Sequence, residues 1–330
     1  MNTIWKWIKR IMAGLLILIL VLTALTYAAG MVAKRQLARE NLPPGQWTNV
    51  GEYNMHIYCT GEGSPTVILE AGLNDFFVTW SKVQPEVAKT TRVCSYDRAG
   101  LGWSETSPYP RTSEFMVQEL HTLLKNTGIE GPYILVGHSF GGINMRLFAR
   151  QYPNEVAGLV LVDSAHEEQA ERLPFLKDTA DEFIRQFKTL SAMSSFGLMA
   201  LSPATIPNRG FPEEAYRQYQ AVLATTNYFE GAIAESTAFY SNASSLKIEG
   251  LDDLPLIVLS HGLPDTTSGI DDAGQNQFEQ EWSKMQLELA ALSSNGKQII
   301  AEQSGHYIQL DQPELVIESI LALVQAVQQR

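Results

Sequence analysis

With 330 residues, 45% of them hydrophobic and 18% charged, the chain has the composition of a globular protein, which excludes disordered, collagenous and coiled-coil classes. Its 24 Lys+Arg against 36 Asp+Glu, a formal net charge of −12, argue against a nucleic-acid partner, because phosphate binding needs basic side chains to release counterions. Two well-separated cysteines, Cys59 and Cys94, and six scattered histidines fit no zinc ribbon, CxxC redox pair or disulfide-dense scaffold, so no metal or cofactor is expected.

From Ile11 to Ala33 the sequence carries no charge, and as a helix it would run about 35 Å, enough to cross the hydrocarbon of a bilayer. A transmembrane anchor over residues 1–33 is expected, with a cleaved signal peptide as the alternative. Lys6, Lys9 and Arg10 precede the run, and Lys34, Arg35 and Arg39 follow it, so charge asymmetry gives only a weak orientation. The body that follows is expected outside the cytoplasm. Without the three basic residues of this segment, the body keeps 21 Lys+Arg against 36 Asp+Glu. Residues 34–48, with the Pro43-Pro44-Gly45 break, are expected to form a linker.

Beyond it, Tyr53 to Tyr58 alternates as a strand, and five continuous apolar runs follow: Thr66 to Glu70, Arg92 to Tyr96, Tyr133 to Val136, Leu159 to Val162 and Leu256 to Leu259. Runs without alternation are strands buried on both faces, and the helical stretches between them, such as Glu114 to Lys125, give a βαβα rhythm. A last strand is expected at Lys297 to Ala301 and a last helix at Pro313 to Val327. The fold class is therefore α/β, with a mostly parallel central sheet flanked by helices. Residues 49–164 and 255–330 would form this core. Residues 165–254, far longer than an ordinary α/β connection, would form a helical lid with helices at Glu182 to Leu190, Glu213 to Ala224 and Tyr228 to Tyr240.

The run Tyr133 to Val136 leads straight into Gly137-His138-Ser139-Phe140-Gly141, and Ile143 to Arg150 reads as a helix. A strand turning at once into a helix holds Ser139 in strained backbone and pushes its hydroxyl out, and glycines are needed where side chains would collide. A serine hydroxyl needs a base to become a nucleophile. His306, in the loop between the last strand and the last helix, is the best candidate. His56, His121, His138, His166 and His261 are read as structural or surface residues.

On these motifs the chain from about Val50 onward resembles an α/β-hydrolase fold serine hydrolase of the lidded esterase and lipase type. The segment Ser95 to Ser104 is similar to the family's D-x-R-G-x-G-x-S loop, with Ala99 where glycine is usual, and Asp97 and Arg98 are read there as structural residues. The resemblance implies the order Ser, Asp or Glu, His along the chain. Asp163, at the end of a strand, is the preferred acid, and Asp265, in the loop after Leu256 to Leu259, is the alternative. It further implies an oxyanion hole from the backbone N–H groups of Phe140 and Leu73, although Glu70 and Ala71 depart from the family's His-Gly pattern. In this fold Cys59 and Cys94 would lie on antiparallel neighbours, leaving a disulfide and a pair of free thiols both open.

The expected activity is cleavage of an ester-like bond in a small, hydrophobic substrate, with the membrane reached through the N-terminal helix. An aminopeptidase, a C–C bond hydrolase, a cofactor-free haloperoxidase, an acyltransferase or a noncatalytic binding module on the same scaffold are the alternatives. Relatives that attack with aspartate, the haloalkane dehalogenases and epoxide hydrolases, are disfavoured because Ser139 stands at that position.

Overall fold

The computed structural model describes residues 2–242, 246, 248, 250–264 and 271–329. An N-terminal helix, α1 (Asn2–Glu40), is followed by β1 (Gln46–Asn49), β2 (Asn54–Thr60), β3 (Thr66–Glu70), α2 (Gln84–Val87) and β4 (Val93–Tyr96). Next come α3 (Ser113–Thr127), β5 (Tyr133–His138), α4 (Phe140–Gln151) and β6 (Val156–Val162). Between β6 and β7 (Leu256–His261) lie α5 (Gln169–Arg172), α6 (Phe175–Ser195), α7 (Leu198–Leu201), α8 (Glu213–Leu223) and α9 (Thr226–Asn242). The chain closes with α10 (Asp272–Ala290), β8 (Gly296–Ala301), α11 (Ile308–Asp311) and α12 (Pro313–Gln328).

The eight strands form one sheet in the order β1-β2-β4-β3-β5-β6-β7-β8. The pairs β1·β2 and β2·β4 are antiparallel, and the others are parallel. Successive side chains of a strand point to opposite faces, and here both faces are apolar. Ile68, Leu135, Leu159 and Leu161 pack with Leu120 and Leu124 of α3 and Met145 and Phe148 of α4. Val67, Ile134, Val136 and Val160 pack on the other face with Val87 of α2 and Val316, Ile320 and Val324 of α12. That two-sided burial is why these strands read as unbroken apolar runs.

Two differences from the sequence expectation concern the segment 34–48. The helix α1 continues through residues expected to be linker, and β1 adds an edge strand by pairing Gln46 to Asn49 with Ile57 to Asn54. The stretch Lys34 to Glu40 has no break before Asn41, so helix propagation carries past the end of the apolar run. Along α1 the side chains from Ile11 to Leu25 are exposed all round, and among the described residues it is the one helix long and apolar enough to cross a membrane. Cys59 and Cys94 face each other in the β2·β4 register and form a disulfide.

Candidate active site

At the C-terminal end of β5 the chain turns into α4 with Ser139 at φ 50°, ψ −122°. That left-handed conformation is costly for a side-chain-bearing residue and is held by the surroundings. Ser139 N–H donates to the Val162 carbonyl at 3.0 Å, and the Ser139 carbonyl accepts from Gly142 N–H at 2.9 Å and Ala165 N–H at 3.0 Å. A methyl group on Gly141 would lie 2.7 Å from the carbonyl oxygens of Glu70 and Ala71, so the end of β3 approaches the elbow too closely for any other residue. The N-terminus of α4 begins at the next residue, where unpaired N–H groups and the helix dipole favour developing negative charge.

Asp163 follows β6 immediately, also with positive φ (43°), and with Ser139 and Asn74 it makes three of the four such non-glycine residues among those described. Its buried carboxylate takes four hydrogen bonds. Oδ1 accepts from Trp282 Nε1 at 2.9 Å and from His261 N–H at 3.1 Å, while Oδ2 accepts from His306 Nδ1 at 2.6 Å and His261 Nδ1 at 2.8 Å. Burial alone would raise the carboxyl pKa, but the bonds from His261 and His306 outweigh it and hold the group well below the usual carboxylate range. It is therefore ionised at neutral pH.

His306 reaches Asp163 from the loop between β8 and α11. The His306 carbonyl accepts from His138 Nε2 at 2.9 Å, which fixes the proton of His138 on that nitrogen. Burial, with His306 beside it, lowers the pKa of His138 to about 3, so that ring stays neutral. Ser139, His306, Leu73 and Phe140 all line one cavity of about 830 Å³. Gly72 brings the Leu73 loop against the elbow: a methyl there would lie 3.2 Å from Ser139 Cβ. Leu176, Phe183, Phe187, Phe239 and Tyr240 give the cavity an apolar wall, and Asp75, Arg209 and Tyr307 a polar one. Arg209 donates to Tyr307 Oη at 2.9 Å.

The structure thus brings Ser139, His306, Asp163, Phe140 and Leu73 together. Asp265 lies outside the described residues. An imidazole held at Nδ1 by a buried carboxylate has the orientation a general base requires.

Three contributors are absent from the sequence expectation. His261, by sequence a structural or surface residue, bridges Asp163 and Glu279 through its two ring nitrogens, each at 2.8 Å. Burial opposes its protonation, but the two carboxylates raise its pKa to about 9, so it is cationic. Trp282, from α10, is the other unforeseen partner of Asp163. Glu235, from α9, receives Arg98 Nε at 2.6 Å and Nη2 at 2.8 Å, and also Asn74 N–H at 2.7 Å. Arg98 in turn donates to the carbonyls of Ala71 and Gly72, both at 2.6 Å, so an arginine read as structural anchors the loop beside the elbow. One signal was available: parallel neighbours end together, and β7, pairing Leu259 with Val162, must end beside Asp163.

Asp163, His261 and His306 offer ligand atoms within 4.8 Å of one another, the spacing of a metal site. Both imidazoles turn Nδ1 to the carboxylate, so a cation there would have to displace both protons.

This sheet, elbow and helical insertion define the α/β-hydrolase fold. The family described as the alpha/beta hydrolase fold matches residues 65–202. Among curated proteins the chain is 27% identical over 256 residues to the uncharacterized protein YqjL of Bacillus subtilis, covering 78% of this chain and 82% of that one. It is 28% identical over 292 residues to an AB hydrolase superfamily protein of Gibberella zeae, covering 80% and 87%. Among solved structures, a thermophilic esterase from Thermogutta terrifontis superposes with a TM-score of 0.62 at 23% identity, covering 86% of this chain and 99% of that one.

Proposed function

We propose that the chain is a membrane-anchored serine hydrolase that cleaves an ester bond in a small, hydrophobic substrate. Ser139 is the nucleophile, His306 the base and Asp163 the acid that orients it. The observation that supports this most is the 2.6 Å contact between Asp163 Oδ2 and His306 Nδ1, made in the cavity that Ser139 also lines.

In this reading His306 Nε2 takes the Ser139 proton as Oγ bonds to the substrate carbonyl carbon. The carbonyl oxygen becomes an oxyanion facing the N–H groups of Phe140 and Leu73. Collapse expels the alcohol, which leaves with the proton from His306, and a water molecule then releases the acid from Ser139 by the same steps. The apolar wall of the cavity supports an acyl or alkyl group as the part recognised. The apolar α1 and the Cys59–Cys94 disulfide support an anchored body on the oxidising side of a membrane.

The test is hydrolysis of a p-nitrophenyl ester series of increasing acyl length by wild type and Ser139→Ala. Wild-type turnover with a preference for longer chains, lost in the folded variant, is expected. Equal turnover by the two proteins rejects Ser139, and no turnover by wild type favours a binding module.

A further inference from the structure

The helix α1 does not stand apart from the body. Gly30 packs backbone to backbone on Gly197, where a methyl on Gly30 would lie 2.6 Å from the Phe196 carbonyl oxygen, and Tyr27 meets Phe196 edge to face at 6.1 Å. The first charge past the apolar run is Lys34, four residues beyond Gly30 and so about 6 Å further along the axis. If the apolar run lies in lipid, the junction of α6 and α7 is held at the boundary between acyl chains and headgroups. Tyr27 also suits that depth.

The insertion exposes four large apolar side chains there. Met193, Phe196, Leu198 and Leu201 are 38%, 49%, 36% and 42% exposed. Scattered surface leucines mean little, but these four fall within nine consecutive residues, α7 packs against α1, and Phe196 meets Tyr27 of α1. The stripe continues inward along α6. Phe183, Phe187, Leu190, Met193 and Phe196 follow at spacings of three or four residues, about 20 Å of helix, and Phe183 and Phe187 line the cavity.

We propose that this α6–α7 flank docks into the bilayer surface beside α1, and that the substrate is a long-chain ester dissolved in the membrane, which reaches Ser139 along α6. The occupant of the apolar flank is lipid, because the flank packs through Phe196, Gly197 and α7 on α1, the one helix among the described residues that is long and apolar enough to cross a membrane. The inference rests on the serine hydrolase reading for the substrate, and on α1 and its contacts alone for the docking.

The test uses the full chain in phosphatidylcholine vesicles. A fluorophore on Leu198→Cys is expected to be quenched by spin-labelled lipid at least about threefold more than one on Lys297→Cys, which lies at the opposite, N-terminal end of β8. The variant Leu198→Lys/Leu201→Lys is expected to lose about tenfold or more of its turnover of a long-chain ester dispersed in the vesicles. On water-soluble p-nitrophenyl acetate it should stay within about twofold of wild type, which also shows that it folds. Equal quenching at the two positions overturns the docking. Unchanged turnover of the vesicle ester overturns the delivery route. If wild type cleaves neither ester, the hydrolase reading and the delivery route fall together, while stronger quenching at Leu198 still upholds the docking.

Discussion

His261 shares with His306 a single carboxylate oxygen: its Nδ1 lies 2.8 Å from Asp163 Oδ2, the same atom that His306 approaches at 2.6 Å. A simple triad has one imidazole on its acid, whereas here a second, cationic ring competes for that charge.

A pH-dependent stability follows. The pKa of His261 is raised from 6.5 to about 9, so the folded chain holds a proton that the unfolded chain loses. The stabilisation, on the order of 3 kcal/mol, is complete below about pH 6.5 and disappears as pH rises through about 9. Urea unfolding at pH 6.5 and 9.5 is expected to give wild type a clear advantage over His261→Gln at the lower pH and a much smaller one at the higher. An equal advantage at both contradicts a charged His261.

The same relationship has a kinetic consequence. Removing the His261 cation leaves Asp163 to stabilise protonated His306 alone, so the acid limb of the kcat/KM profile of His261→Gln should move to higher pH. An unchanged limb means that His261 does not act on the reaction through Asp163.

Under the proposed roles, Asp163→Asn should lower kcat by about 10³ to 10⁴, because the imidazole would lose its orienting partner. Asp265→Asn should lose less. The reverse ranking, read from initial rates on one ester, transfers the role.

Arg98 is fully buried and bidentate on Glu235, which binds it from α9. Glu235→Ala would leave that guanidinium without its main counter-charge and should cost about 3–5 kcal/mol in denaturant unfolding. It should also loosen the Leu73 loop, since Asn74 N–H loses its acceptor. A loss under about 1 kcal/mol contradicts the clamp.

The disulfide closes a loop of 35 residues between β2 and β4. The Cys59→Ser/Cys94→Ser variant should lose about 3–4 kcal/mol, measured by guanidinium unfolding. No loss would mean that the pairing of β2 with β4 already fixes the loop.

The sheet was legible because it is buried on both faces, which writes each parallel strand as a short apolar run, and the elbow because strand, Ser139 and helix are contiguous. The antiparallel edge strand β1 was not, since Gln46 to Asn49 is mostly exposed and carries no apolar run. Residues joined only by tertiary approach were invisible for a different reason. His261 meets Asp163, and Glu235 meets Arg98, across large sequence separations that no local pattern records. The insertion is helical as its sequence indicates, and α8 ends within one residue of the expected Ala224, but α6 and α9 extend further, α6 running from Phe175 to Ser195 where only Glu182 to Leu190 has a clear apolar stripe.

Covalent capture of the serine probes the chemistry most directly. After reaction with a fluorophosphonate, peptide mass analysis of the folded wild type should find the phosphonyl adduct on Ser139 alone. His306→Ala should react far more slowly, and Ser139→Ala should carry no adduct. An adduct on another residue, or none on the folded wild type, contradicts Ser139 as an activated nucleophile.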